Sequence, residues 1–291
     1  MRAVVCFIFC MAVFAFQSCK EDEAGESSVY GKDVYLSDAV LDQYSLKYPG
    51  QHYPEIVAEC GNYDFSGKTI AYIGASLANN AESIVAKAVV GNNLGCQIYT
   101  YGHGGYSYGG RTNTLRKFAD RLGKHDVYVI WGTTNDYSRN VDLGEPSDYS
   151  SEDGYNTEKL YSVCGGMNYV IRKIRKINPR ALILGYTSLK FFNADRPDGM
   201  SAEAKTANGT GHPFYDYVSA QAACFGQAGI PYLHHWDFPE FTQSTWNEYY
   251  FTDGFHLNGN GYFIIGVKHL RFLLEQIKNY DKAVDQKNSA S

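Results

Sequence analysis

Val127-Tyr-Val-Ile-Trp131 is a run of five bulky side chains without a charge. Side chains of a strand point alternately to its two faces. A run that is apolar at every position must therefore be covered on both sides, as in a parallel sheet between helices. Four more strand-like runs are spaced along the chain: Thr69 to Gly74, Gln97 to Tyr101, Ala181 to Tyr186 and, more weakly, Ile230 to Leu233. Between them lies the helical period. Leu160, Val163, Cys164, Met167, Val170, Ile171, Ile174 and Ile177 share one stripe that stops at Asn178-Pro179. Phe263, Ile264, Val267, Leu270, Leu274 and Ile277 form another before a charged tail. Alternation of strand and helix predicts an α/β fold, a parallel sheet between two helical layers. Three stretches exceed simple connectors, at 137–156, 190–212 and 235–252. Each follows a strand, and open α/β sheets bind ligands beyond the carboxyl ends of their strands.

A chain of 291 residues can bury one large core, and no internal linker divides it. Arg2 followed by an apolar run from Ala3 to Phe16 has the length of a signal peptide and is short for a membrane span. The junction Phe16-Gln-Ser-Cys19 resembles a bacterial lipoprotein signal, in which the cysteine becomes the lipidated N-terminus. We therefore expect a signal at 1–18, a lipidated Cys19 with an acidic flexible tether to residue 30, and a single domain over 31–291. The expected location is the cell envelope, with the membrane touched only through the lipid. Loss of residues 1–18 leaves 25 basic against 31 acidic side chains, a balance of −6. With no basic stripe, nucleic acid is not the expected partner. Cys60, Cys96, Cys164 and Cys224 remain in the body, none in a CxxC, which argues against a zinc site and leaves free thiols or any of three pairings open.

The chemistry sits at the strand ends. The first strand ends Ile73-Gly-Ala-Ser76, which places a hydroxyl at the carboxyl edge of the sheet. A serine is a poor nucleophile without a base. The second strand runs into a glycine cluster, Gly102-His-Gly-Gly105, whose backbone can turn N–H groups towards a ligand. The third ends Trp131-Gly-Thr-Thr-Asn135-Asp136, where an amide can donate to a developing oxyanion. Late in the chain, Asp253-Gly-Phe-His256 sets a carboxylate and an imidazole three residues apart, the orienter and base of a triad.

The order Gly-x-Ser, Gly-rich turn, Gly-x-x-Asn-Asp and Asp-x-x-His resembles the SGNH (GDSL-type) hydrolase family across roughly residues 66–278. The resemblance implies a flavodoxin-like three-layer α/β/α sandwich with a five-stranded parallel sheet. It implies a serine esterase that needs no metal or organic cofactor, with Ser76 as nucleophile, His256 as base and Asp253 as orienter. Gly105 and Asn135 would be oxyanion donors. Two points depart from or blur the family pattern: Gly74-Ala75-Ser76 stands where the family has Gly-Asp-Ser, and both Gly104 and Gly105 offer a donor.

A rival pattern, Gly105-Tyr-Ser107-Tyr-Gly109, satisfies the nucleophile-elbow motif but lacks a strand immediately before it; Ser107 is expected to be a turn residue. His234, His235 and Asp237 lack a third ligand at a metal spacing, and His103 is expected in a plain turn. Aromatic residues crowd the approach to Asp253, and Tyr106, Trp236, Trp246 and Tyr250 are the candidate substrate contacts. The expected substrate is a small-molecule or glycan ester, foremost an acetylated carbohydrate. A lipase or thioesterase of the same fold, or a non-catalytic glycan-binding lipoprotein, are the alternatives.

Overall fold

The computed structural model describes residues 28–30, 36–150, 156–192 and 206–289. The expected signal peptide and the lipidated Cys19 lie outside these residues. Strands β1 (Ser28–Tyr30), β2 (Thr69–Gly74), β3 (Gln97–Gly102), β4 (Val127–Trp131), β5 (Leu182–Tyr186) and β6 (Tyr232–Leu233) form one sheet in the order β1-β3-β2-β4-β5-β6. The last five are parallel, and they keep the flavodoxin-like order with its switch point beside β2. β1 pairs antiparallel with β3, Val29 opposite Tyr99, as a sixth edge strand inside the stretch read as tether. β6 starts later than its sequence suggests: Pro231 has no N–H to give and only its carbonyl joins the sheet, accepting from Gly185.

The period of two divides the core into two layers. Ile70, Tyr72, Val129, Trp131, Leu184 and Tyr186 face helices α1 (Asp38–Lys47), α2 (Tyr53–Cys60), α4 (Ser83–Leu94) and α10 (Gly259–Ser289). Ala71, Ile73, Tyr128, Ile130 and Ile183 face α5 (Arg116–Ala119), α7 (Val163–Ile177) and α8 (Phe214–Gln227). α7 begins where Ser162 accepts the Gly165 N–H at 3.0 Å, later than the stripe read from Leu160, which falls in a separate 3-10 turn, and it ends before Pro179 as that stripe predicts. Three one-turn helices lie near the carboxyl edge of the sheet: α3 (Ser76–Asn79), α6 (Asn135–Ser138) and α9 (Trp246–Tyr249).

The four body cysteines are free and buried. Among the described residues no helix is long and apolar enough to cross a membrane, and no group of three metal-ligating side chains occurs.

Candidate active site

Ser76 is the first residue of α3, directly after β2 and the tight Gly74-Ala75 link, so its side chain emerges at the carboxyl edge. The Ser76 hydroxyl lies 3.0 Å from His256 Nε2, although the two are 180 residues apart. His256 Nδ1 lies 2.7 Å from Asp253 Oδ2. With the Nδ1 proton donated to the carboxylate, Nε2 is left to accept from the serine. The other carboxylate oxygen accepts the backbone N–H groups of Phe255 at 2.8 Å and His256 at 3.0 Å. Partial burial raises the Asp253 carboxyl, but the ring and the two N–H groups outweigh it and hold the acid below its ordinary value. The carboxylate is therefore charged at neutral pH and fixes the tautomer of the imidazole.

The turn that carries this pair is held from below. Gly254 takes a φ of +68°, and its carbonyl accepts the Phe192 N–H at 2.7 Å. Tyr250 donates its hydroxyl to the Lys190 carbonyl at 2.8 Å. Tyr250 is buried, 3 % exposed, which corrects its reading as a substrate contact: it props the loop. Trp246 stacks on Phe192 at 6.2 Å and 15°, and Trp236 packs against Phe214 and Tyr215, so both are engaged in packing with part of each ring left open.

On the other side of Ser76 runs the glycine turn. A Cβ on Gly104 would lie 3.8 Å from the Ser76 Cβ, so the turn passes beside the serine. Gly105 adopts a φ of +78°, a conformation that glycine permits without strain, and its backbone is exposed. Tyr106 is half-buried against His103 and Phe118. His103 is exposed, with Nδ1 2.8 Å from the Gly104 carbonyl.

Asn135 opens α6 after β4. Its side-chain N–H groups go to the Tyr106 carbonyl at 2.9 Å and Thr133 Oγ1 at 2.8 Å. The amide is thus aimed between the glycine turn and its own loop.

A buried carboxylate clamps the two turns together. Asp136, fully buried, accepts the N–H groups of Tyr108 at 3.1 Å and Gly109 at 2.9 Å. Burial pushes its carboxyl up to about 6, against the pull of those two N–H groups and the Arg116 charge. Arg116 donates to the carbonyls of Tyr108 and Gly110. The Tyr108 hydroxyl reaches the Ile73 and Trp131 carbonyls at 3.1 and 2.8 Å, stitching the loop to the ends of β2 and β4. Only the Asn-Asp pairing in the motif hinted at Asp136; Tyr108 and Arg116 carried no sequence signal.

The rival serine, Ser107, is buried and donates to the Gly109 carbonyl at 3.0 Å, as a turn residue does. His235 turns into the core and meets His269 instead of a metal, with 2.9 Å between the two Nε2 atoms. His234 lies 2.9 Å from the Asp237 carboxylate. Of the long stretches, 190–192 and 235–252 adjoin the Asp253 turn, whereas Pro146 and Asp148 are tied to α7 through Asn168. Residues 151–155 and 193–205 lie outside the described part.

The whole arrangement can activate a hydroxyl, store its proton on an imidazole and offer N–H groups to a developing negative oxygen. Residues 56–264 match the model of the GDSL-like lipase/acylhydrolase family. A solved structure from Lactobacillus plantarum is similar, with 22 % identity and a TM-score of 0.58 over 72 % of this chain and 97 % of the other. Another, described as a possible lipase from Chitinophaga pinensis DSM 2588, shares 19 % identity with a TM-score of 0.54, covering 72 % of this chain and 99 % of the other. No curated protein sequence matches the chain.

Proposed function

The chain belongs to the GDSL-like lipase/acylhydrolase family and is an ester-hydrolysing serine hydrolase; from that premise we propose that Ser76 is its nucleophile and an acetylated carbohydrate its substrate. The observation that carries the site assignment is the unbroken chain from Ser76 Oγ through His256 to Asp253, at 3.0 and 2.7 Å. It forms with Ala75 in the place of the family's usual aspartate.

In this mechanism His256 Nε2 takes the Ser76 proton as Oγ attacks the ester carbonyl. Asp253 steadies the imidazolium. The oxyanion is held by the backbone N–H groups of Ser76 and Gly105 and by the Asn135 amide. Collapse expels the alcohol, protonated by His256, and leaves an acyl-serine. Water, deprotonated by the same imidazole, then releases the acid and restores the enzyme.

The carbohydrate assignment is supported by two rings that are not fully buried, Tyr106 next to Gly105 and Phe255 next to His256. The test compares p-nitrophenyl acetate with p-nitrophenyl octanoate for wild type and Ser76→Ala. Acetate turnover is expected to dominate, and to fall by at least about 10³-fold in the variant. Preference for octanoate would shift the substrate to a lipid, and undiminished turnover by Ser76→Ala would remove the serine from the mechanism.

A further inference from the structure

Phe255 lies between the orienter Asp253 and the base His256, yet none of the steps above uses its side chain. It is 36 % exposed. An exposed aromatic ring ordinarily sweeps between rotamers, but this one is fixed. It stacks on Phe191 with ring centres 4.6 Å apart and planes at 18°. Phe191 is buried, 2 % exposed, and packs in turn on Phe214 at 4.7 Å and Tyr137 at 6.2 Å. The backbone is fixed as well. The Phe255 N–H is donated to Asp253 at 2.8 Å, and the preceding carbonyl is bonded to Phe192. One flat apolar face is thus held still at the surface, one residue from the catalytic imidazole. Consecutive Cα atoms are about 3.8 Å apart, so Phe255 and the base His256 leave the same fixed turn.

The chemistry says which part of the substrate comes there. When the tetrahedral adduct collapses, the bond from carbonyl carbon to alcohol oxygen breaks, and the proton taken from Ser76 passes from His256 Nε2 to that oxygen. The leaving oxygen must therefore lie against His256. The acyl carbonyl oxygen lies instead among the N–H groups of Ser76, Gly105 and Asn135. A side chain next to His256 meets the alcohol half of the ester.

We propose that Phe255, backed by Phe191, is the alcohol-side platform that sets substrate specificity, and that it takes the flat C–H face of a pyranose ring bearing the ester. The proposal rests on the reading of Ser76 and His256 given above. Phe255 is a specificity residue and takes no part in proton transfer.

Its test separates the two halves of the ester. Wild type, Phe255→Ala and Phe255→Trp are assayed on a mono-acetylated methyl pyranoside and on ethyl acetate, which has the same acyl group and no ring. Loss of a stacking partner worth about one tenfold step in binding should raise KM for the pyranoside about tenfold in Phe255→Ala. Values of kcat/KM for ethyl acetate should stay within about twofold, and Phe255→Trp should retain or lower the pyranoside KM. Equal losses on both esters would mean that Phe255 only packs. No change on either would mean that the ring never meets the alcohol. Either result overturns the proposal. Ser76→Ala in the same assay keeps the underlying reading separate, since its retention of activity would remove the nucleophile whatever Phe255 does.

Discussion

Acid should weaken this protein through one pair of core histidines. His235 and His269 are both fully buried, meet Nε2 to Nε2 at 2.9 Å, and are walled by Trp131 and Tyr186. Neither Nδ1 atom has a hydrogen-bond partner among the described residues. Burial drives the His235 imidazole down to about 3, and the nearby His234 and Lys268 charges push the same way; His269 lies well below its ordinary value for the same reasons of burial and its histidine neighbour. The unfolded chain binds these protons near pH 6.5 and the folded one does not. The stability these neutral rings permit is therefore complete above about pH 6.5 and lost as pH falls towards 3. For His235 alone the loss is about 2 kcal/mol at pH 5 and about 4 kcal/mol at pH 3. At pH 5 that corresponds to a drop in Tm of roughly 4–8 °C for a domain of this size. Asp136, whose carboxyl is raised to about 6, works in the opposite direction, gaining its proton more readily when folded. The assay is thermal unfolding between pH 7.5 and 5 for wild type and for His235→Leu combined with His269→Leu, which keeps similar volume and removes both ring partners together. Asp136 contributes equally to both proteins. The double variant should lose several degrees less than wild type on acidification. Parallel curves would refute the reasoning and assign acid lability to other groups.

Two further outcomes follow from the site geometry. Asn135→Ala removes one proposed oxyanion donor, and kcat should fall about 10²–10³-fold with little change in KM; a change confined to KM would place the amide on ground-state substrate instead. Gly254→Ala touches no proposed catalytic side chain, yet its Cβ would fall 1.2 Å from the Phe192 carbonyl oxygen at a φ of +68°. The turn must shift, and a displacement of about 1 Å at His256 should cost about 10²-fold in kcat; full activity in that variant would show that the turn does not set the position of the base.

The sheet was legible because burial on both faces leaves a mark that no neighbour can erase. Val127–Trp131 and Thr69–Gly74 are strands at the residues their apolar runs span, and the stripe read from Leu160 to Ile177 is one helix from Val163 onward. β1 was not legible: Ser28–Tyr30 adjoins acidic and small residues, and its pairing partner lies some seventy positions away on β3. The four side chains proposed to carry the chemistry could be picked out because each sits at a punctuated strand end or turn. Their supports could not. The Asp136 clamp depends on backbone N–H groups, which every residue has, and on an arginine whose partners are carbonyls. Tyr250 failed as a surface residue for a related reason: a tyrosine in an aromatic cluster reads alike whether its hydroxyl meets a ligand or, as here, the Lys190 carbonyl. The doublet His234-His235 likewise gave no hint that one ring would turn inward to a histidine on α10.

The central claim is that Ser76 is the nucleophile of an ester hydrolase, activated by His256 and Asp253. The most direct test is mass spectrometry of the protein after treatment with a fluorophosphonate. A single phosphonyl adduct is expected on the peptide carrying Ser76, absent in Ser76→Ala and strongly slowed in His256→Ala. An adduct on Ser107 or elsewhere, or none on a protein that still hydrolyses p-nitrophenyl acetate, would contradict it.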